Sequence, residues 1–266
     1  MAATSAAAHV VKNIIQGADT VLIDTVNRKV RIHYDGVTYV NNRIRSGAIT
    51  IQLISGNYWK DTNAIIWIKF DSLICTRKKD GKSITLNGSK TITNVSGGLV
   101  SKLGTLGYTY TQIIHRIQAP QDSNGLEVTF DNGKTVSWHT DRTRTISLAA
   151  TTSIGIIPIR EYRYTLSGNY STANNSNLAW WGTNRNGEPF YDAIPTPIVY
   201  DESIDWLGPI SGEVKITGIT KELDITYGVD QNGNPVVNPT INTTLYYKLS
   251  WTDFSGKSRT AVEPYL

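Results

Sequence analysis

The sequence predicts an all-β protein, an antiparallel β-meander or sandwich with many hairpins, in either a compact or an elongated form. Three observations predict this fold class. Several runs alternate with a period of two, which indicates strands. β-branched and aromatic residues, which suit a pleated surface, fill these runs. Turn-forming pairs such as Asp-Gly and Asn-Gly separate the runs, and the 22 glycines among 266 residues agree with a chain of strands and turns.

The stretch of residues 45–94 carries the clearest strand pattern. Residues 49–54 alternate with a period of two, and residues 64–70 form a second run rich in isoleucine and aromatic side chains. A third segment contains Asn87-Gly88-Ser89 between two short strand-like runs. Because Asn-Gly tolerates positive φ, we expect a tight hairpin turn there. The stretch therefore predicts three antiparallel strands and a hairpin.

The beginning of the chain predicts a leader followed by one β-rich domain. Residues 1–17 are expected to be either flexible or a short helix, because the apolar residues between positions 10 and 15 share one helical face and Gly17 would end it. Residues 18–266 are expected to form a single domain. The alternative is two halves joined near residues 150–160. Asp35-Gly36 predicts an early hairpin turn.

The second part of the chain continues the strand and turn pattern. Residues 126–140 predict a strong hairpin around Asp131-Asn132-Gly133-Lys134, and residues 141–145 a charged, outward-facing end of its second strand. Three prolines confine residues 190–200 to an edge strand or an irregular path. Residues 213–219 and 223–227 are also expected to be strands, and residues 245–251 form the last clear one.

Composition and charge exclude several functional classes. The single cysteine, Cys75, can form no internal disulfide and no zinc cluster, and is expected to be a small buried apolar side chain. No apolar run approaches the ~20 residues that span a bilayer. The net charge of the chain, +4, is small, and its Lys and Arg residues are scattered along the sequence. Nucleic acid is therefore not an expected partner.

The candidate catalytic and metal-binding residues carry no recognisable site pattern. His139 beside Asp141 forms the one local cluster around a histidine, and strand alternation already explains its position. Glu127, Asp131 and Asp141 are the carboxylates considered for glycoside hydrolysis. Residues 230–234 have the composition of part of a calcium loop, but a plain turn explains them better. We therefore predict no enzyme, no catalytic residues, no cofactor and no metal.

Aromatic side chains are the best candidates for a binding site. Flat rings stack on the apolar faces of sugars, and their polar edges can bond hydroxyls. Tyr58-Trp59 follows a predicted turn, and Trp180-Trp181 precedes one. Consecutive residues of a strand point to opposite faces, so one tryptophan of the pair is expected in the core and the other exposed. Tyr58, Trp59, Trp180 and Trp181 are the predicted glycan platform, with core or interface packing as the alternative.

A set of motifs between residues 19 and 227 supports a family resemblance. These motifs are Arg45-Ser46-Gly47, Tyr58-Trp59, Phe70-Asp71, residues 88–94, 133–138, 142–144 and 182–187, Pro197-Ile198, Trp206, and residues 211–214. With them the sequence resembles a family of uncharacterised β-rich cell-surface lipoproteins of Bacteroidota. The chain departs from that family in having no cysteine before Cys75 and none in its C-terminal half. The resemblance implies an extracellular or outer-surface location, with a membrane reached only through an anchor missing here.

Three functions remain open from the sequence. The first is a non-enzymatic structural or binding protein of the cell surface or secreted fraction. The second is a self-assembling subunit of an extracellular appendage or filament, in which the N-terminal segment adds as a strand to a neighbouring copy. The third is a carbohydrate-binding module. The expected partners are a second copy of the chain or a surface glycan.

Overall fold

In a computed structural model, which describes residues 15, 17–119, 125–154, 157–205, 208–218, 222–253 and 255–265, the chain folds as strands joined by turns and loops, with one short 3₁₀ turn at Val100–Lys102. The strands are β1 (Thr20–Asp24), β2 (Lys29–Val40), β3 (Arg43–Ser55), β4 (Ala64–Arg77), β5 (Ser83–Asn94), β6 (Gln112–Ala119), β7 (Leu126–Phe130), β8 (Thr135–Ile154), β9 (Ile157–Gly168), β10 (Leu178–Thr183), β11 (Pro189–Asp201), β12 (Ser211–Thr217), β13 (Leu223–Val229), β14 (Tyr246–Thr252) and β15 (Ser258–Pro264). The leader, residues 1–17, lies outside the described residues except for Ile15 and Gly17. Trp206 lies outside them as well.

All fifteen strands belong to one hydrogen-bonded sheet. The main order is β1-β2-β3-β4-β5-β6-β8-β10-β11-β12-β13-β14-β15, and every described pairing is antiparallel. Two rows of the sheet each hold two strands end to end. β6 and β7 share the row between β5 and β8, and β9 and β10 share the row between β8 and β11. The predicted all-β antiparallel meander is confirmed.

Two predicted turns are wrong, because the chain passes through them as strand. β2 continues through Asp35-Gly36 with a shift of register, and the chain reverses at Asn41 and Asn42, whose φ angles are 50° and 59°. Both asparagines therefore adopt the left-handed conformation that a two-residue hairpin turn requires. Likewise, β5 runs without a break through Asn87-Gly88-Ser89.

Gly88 is required at the point where β5 changes its partner. Its φ is 92°, and a Cβ atom there would lie 2.0 Å from the carbonyl oxygen of Gly125. On one side of this position β5 pairs with β7, and beyond it with β6. The Asn87 side chain accepts a hydrogen bond from the backbone N–H of Ser72 at 2.8 Å, within the bulge of β4. The Asn-Gly pair thus marks a bulged position where two strands meet end to end.

β11 lies inside the sheet, which corrects the expectation of an edge or irregular path. β9 and β10 pair with one side of it and β12 with the other. Its register against β12 shifts between Ala193 and Thr196 and again between Thr196 and Val199. Pro195 and Pro197 fall within these shifts. Bulges are places where a strand tolerates a residue without a backbone donor, so the prolines fit an interior strand here.

Two further segments bear on the organisation of the chain. The strand predicted at residues 245–251 is followed by one more, β15, which pairs with β14 along its full length. Residues 150–160, considered as a joint between two halves, lie in the hairpin of β8 and β9, and residues 155–156 are not described. The division into domains stays a prediction. Among the described residues, no helix has the length and apolar character to cross a membrane.

The strand register gives the sheet one apolar and one polar face. The apolar face carries one side chain from almost every strand: Val21, Ile32, Ile49, Phe70, Leu86, Ile113, Val128, Ile146, Tyr164, Ile198, Val214, Ile225 and Leu249. Many of these residues are buried and pack in clusters. On the polar face, Arg31 and Lys69 both pair with Asp71, at 2.8 and 2.7 Å. The alternation in the sequence is therefore the alternation between these two faces.

Candidate functional site

Trp180 and Trp181 lie on opposite faces of β10, as their consecutive positions require. Trp181 is only 7% exposed. Its ring stacks on Tyr170 with a centroid distance of 4.2 Å and an angle of 9°, and it also contacts the ring of His139 at 5.6 Å. Trp181 is therefore buried by its aromatic neighbours, on the face of the sheet opposite to the apolar face. Trp180 is half-buried on the apolar face, where the Arg142 guanidinium lies 4.9 Å from its ring centroid.

Tyr58 and Trp59 lie in the loop between β3 and β4. The Asp61 carboxylate accepts hydrogen bonds from the backbone N–H groups of Asn57 and Tyr58, at 2.8 and 2.9 Å, which fixes the loop. Trp59 packs against the His115 ring at 5.1 Å, whereas Tyr58 is 64% exposed. The four predicted platform residues thus lie in two separate elements, and only Tyr58 is openly exposed.

A cavity lined by tyrosines lies on the apolar face near the end of the chain. It has a volume of about 260 Å³, and its wall includes Tyr200, Tyr227, Tyr247, Tyr265, Ile225 and Leu249. Tyr227 lies directly opposite Tyr247 across β13 and β14, and Ile225 lies opposite Leu249. The rings of Tyr247 and Tyr265 stack at 5.8 Å with an angle of 24°. We call this site the tyrosine cavity.

The tyrosine hydroxyls of the cavity differ in their hydrogen bonding. The Tyr265 hydroxyl donates to the carbonyl oxygen of Pro209 at 2.6 Å and accepts from the N–H of Gly228 at 3.2 Å, so it fixes the wall. Within the described part of the chain, the hydroxyls of Tyr200, Tyr227 and Tyr247 have no such partner. Burial raises the pKa of Tyr200, Tyr227 and Tyr265. These hydroxyls are therefore neutral donors and acceptors at neutral pH.

Asp192 and Arg142 lie on the apolar face and act on the cavity tyrosines through their charge, although neither residue lines the tyrosine cavity. Burial raises the pKa of Asp192 to about 6, and the charge of Arg142 opposes this shift. Burial lowers the pKa of Arg142, and the neighbouring Arg144 lowers it further. The Nε atoms of both arginines are buried and have no hydrogen-bond partner among the described residues. The charge of Asp192 adds to the rise in the pKa of Tyr227, and the charge of Arg142 opposes the rise in the pKa of Tyr200.

The other candidate residues have structural roles. Asp141 is buried, and burial raises its pKa, but hydrogen bonds from Arg116 and Asn169 outweigh this and hold the pKa below its usual range. Residues 141–145 are therefore not an outward-facing end of a strand, because β8 continues through them between two neighbours. Asp131 pairs with Arg185 at 2.6 Å. The Asp230 carboxylate accepts from the N–H of Asn232 and closes a turn.

No metal site is apparent in the described ranges, where no three histidine, cysteine, aspartate or glutamate side chains come together. Glu127 lies on the polar side of β7, exposed and opposite Ser137 of β8. Asp131 is held by Arg185 in the turn that follows, and Asp141 is held by Arg116 further along β8. The carboxylates considered for glycoside hydrolysis are thus spread along one hairpin in different surroundings.

The tyrosine cavity is not evident from the sequence, because its four tyrosines span residues 200–265 and come from separate strands and loops. The local signal was present, since Tyr227 and Tyr247 both occupy apolar-face positions of strands. Their juxtaposition depends on the register between β13 and β14, which includes a shift between Tyr227 and Val229.

Comparison of the chain with protein-family models, with curated proteins and with solved structures gives no match.

Proposed function

We propose that the protein is a non-enzymatic structural or binding protein, located on the outer cell surface or secreted, and that it binds a carbohydrate in the tyrosine cavity. The observation that carries this proposal is the cavity itself, with aromatic rings beside hydroxyl groups that have no partner among the described residues. The location is supported by the family resemblance of the sequence. The neutral hydroxyls can exchange hydrogen bonds with a ligand, but they are poor bases and nucleophiles in this state.

Carbohydrate is the class of ligand that this chemistry suits best. The apolar face of a sugar ring can stack on a tyrosine, while the sugar hydroxyls bond the hydroxyls of Tyr200 and Tyr227. The volume of about 260 Å³ lies just below the ~300 Å³ lower end of typical small-molecule sites. One sugar ring, as the end or a branch of a longer glycan, is therefore the expected occupant.

Tyr247→Ala is the variant that tests this proposal. Loss of the ring should weaken binding of an oligosaccharide identified by array screening by roughly tenfold, which corresponds to about 1.4 kcal/mol for a stacked aromatic. Binding is measured by calorimetry, and folding is checked by circular dichroism.

The matched control is Tyr58→Ala, which removes an exposed ring from the loop after β3 and leaves the cavity unchanged. Binding that survives Tyr58→Ala and is lost in Tyr247→Ala supports the cavity. Binding that is lost in Tyr58→Ala and survives Tyr247→Ala would indicate that the ligand binds the platform predicted from the sequence instead. If no oligosaccharide binds the wild-type protein, the carbohydrate proposal is withdrawn.

A second candidate function, a self-assembling subunit, is favoured by the two edges of the sheet. β1 pairs only with β2, and β15 only with β14, among the described strands. An edge strand presents unpaired backbone groups to which a second copy can add. Leu22 in β1 is 57% exposed and lies at one of these edges. Addition of the leader as a strand remains a prediction.

Light scattering after size exclusion, across a concentration series, tests assembly. We expect the wild-type chain to form larger species, and Leu22→Lys to reduce them, because a lysine on an edge strand opposes edge pairing. Val26→Lys is the control, since it adds the same charge at an 87% exposed position in the following turn. A chain of residues 18–266 separates the contribution of the leader. A constant monomer in every sample would exclude the assembly function.

A further inference from the structure

Two arginines lie directly opposite each other where β3 and β4 pair. Arg43 of β3 is the register partner of Arg77 of β4, and the neighbouring pair on the same face is Arg45 with Cys75. Like charges directly opposite on one face of a sheet are destabilising. A nearby negative charge, from the protein or from a ligand, would offset this repulsion.

The protein supplies part of that charge. Asp80 accepts a hydrogen bond from Arg77 Nε at 2.8 Å, and Asp131 pairs with Arg185 at 2.6 Å. These two ion pairs hold the two guanidinium groups in fixed positions. Arg43 and Lys82 have no carboxylate within 4.0 Å in the described part of the chain. Four cations against two carboxylates leave two positive charges uncompensated.

These four cations surround one open cavity of about 240 Å³. Arg43, Arg77, Lys82 and Arg185 contribute to its wall, and Cys75 and Phe130 are among its apolar lining residues. Apolar groups at a partly exposed site lower the local dielectric constant and so strengthen the attraction between a cation and an anion. The β4–β5 turn, Arg77-Lys78-Lys79-Asp80-Gly81-Lys82, adds to the positive potential at its rim.

We propose that this cavity, the arginine pocket, binds a phosphate or sulfate group. Guanidinium groups match the oxygens of these anions with two parallel hydrogen bonds, and a lysine adds a mobile point charge. A compact tetrahedral anion placed between Arg43 and Arg77 would offset their repulsion. Phe130 provides an apolar surface for the group that carries the anion. The proposal does not depend on the tyrosine cavity or on the assembly of the chain.

Arg43→Gln is the decisive variant, with thermal unfolding and calorimetry as the two measurements. Inorganic phosphate and sulfate should raise the melting temperature of the wild-type protein more than chloride does at equal ionic strength. In Arg43→Gln the affinity should fall roughly tenfold or more, as expected for loss of a hydrogen-bonded charge. Without the anion this variant should be at least as stable as the wild type, since the repulsion with Arg77 is gone. Loss of binding is thereby distinguished from unfolding.

Lys257→Gln, in the exposed turn between β14 and β15, is the control with the same loss of charge. It should bind phosphate as the wild type does. Dextran sulfate and uncharged dextran distinguish the source of the anion. Stronger binding of dextran sulfate than of free sulfate indicates an ester on a polysaccharide, and equal site affinity indicates a free anion. Unchanged phosphate affinity in Arg43→Gln, or an equal effect of chloride on the wild type, would overturn the proposal.

Discussion

Asp201→Ala is expected to lower the free energy of unfolding by about 3 kcal/mol, the low end of the range for breaking a buried ion pair. The Asp201 side chain is fully buried. It accepts hydrogen bonds from Arg163 Nε at 2.7 Å and from the N–H and hydroxyl of Ser203, at 3.0 and 2.5 Å. Removal of the carboxylate leaves these donors without their partner. The low end applies because Arg163 is half-exposed, so water can solvate its guanidinium again.

Asp253→Ala provides a matched control, because Asp253 makes the same kinds of contact at a more exposed position. Its carboxylate accepts from Arg259 Nε at 2.7 Å, from the N–H and hydroxyl of Ser255 at 2.9 and 2.6 Å, and also from the N–H of Lys257 at 3.0 Å. Asp253→Ala thus removes one more hydrogen bond than Asp201→Ala, so a larger loss for Asp201→Ala reflects burial. Urea unfolding should show a clearly larger loss for Asp201→Ala. Equal losses in the free energy of unfolding would show that the burial of Asp201 adds nothing to the stability of the fold.

The sequence predicted the strands better than it predicted the turns between them. Alternation depends only on which side chains face the apolar side, so it was visible in residues 49–54 without knowledge of any partner strand. Turn chemistry was ambiguous, because a positive φ serves a bulge as well as a hairpin. Gly36 and Gly88 both have positive φ, at 80° and 92°, yet both lie within strands.

The prediction that the prolines place β11 at an edge or on an irregular path was wrong for a related reason. A proline excludes a backbone donor only at its own position, and a bulge can place that position outside the hydrogen-bonded ladder. Whether a bulge occurs depends on the neighbouring strand β12, which the local sequence does not reveal. β15 was missed because its residues, Ser258–Pro264, are mostly exposed and show little apolar alternation.

The candidate sites depended on contacts between distant residues, and this limited their prediction. The alternation of strand residues predicts that one of the two consecutive tryptophans is buried, but it does not show which one, and the structure buries Trp181. The tyrosine cavity and the arginine pocket needed the strand register. Arg43 and Arg77 are 34 positions apart in sequence but directly opposite in the sheet. Local composition around either arginine gives no sign of this pairing.

Asp192→Asn is expected to expose a pH dependence of stability that the wild-type protein conceals. Burial raises the pKa of Asp192 from 3.8 to about 6. Between these two pH values the carboxyl group is protonated in the folded state and ionised in the unfolded state. Stability from this group therefore falls as the pH rises from about 4 to about 6. Burial lowers the pKa of His115 from 6.5 to about 4, and Arg144 adds to this shift. For His115 the unfolded state binds the extra proton, so its contribution rises over nearly the same interval.

The two opposed slopes should nearly cancel in the wild-type protein. Each shift is about two units, and one unit corresponds to about 1.4 kcal/mol, so each contribution is at most about 3 kcal/mol. Asp192→Asn removes the falling contribution, and its free energy of unfolding should then rise by up to about 3 kcal/mol between about pH 4 and pH 7. Urea unfolding at several pH values measures this, with Glu213→Gln on the exposed face of β12 as the control. A profile for Asp192→Asn as flat as that of the wild type would show that His115 is not held neutral by burial. A control that steepens equally would show that the effect comes from net charge, because both variants remove one carboxylate.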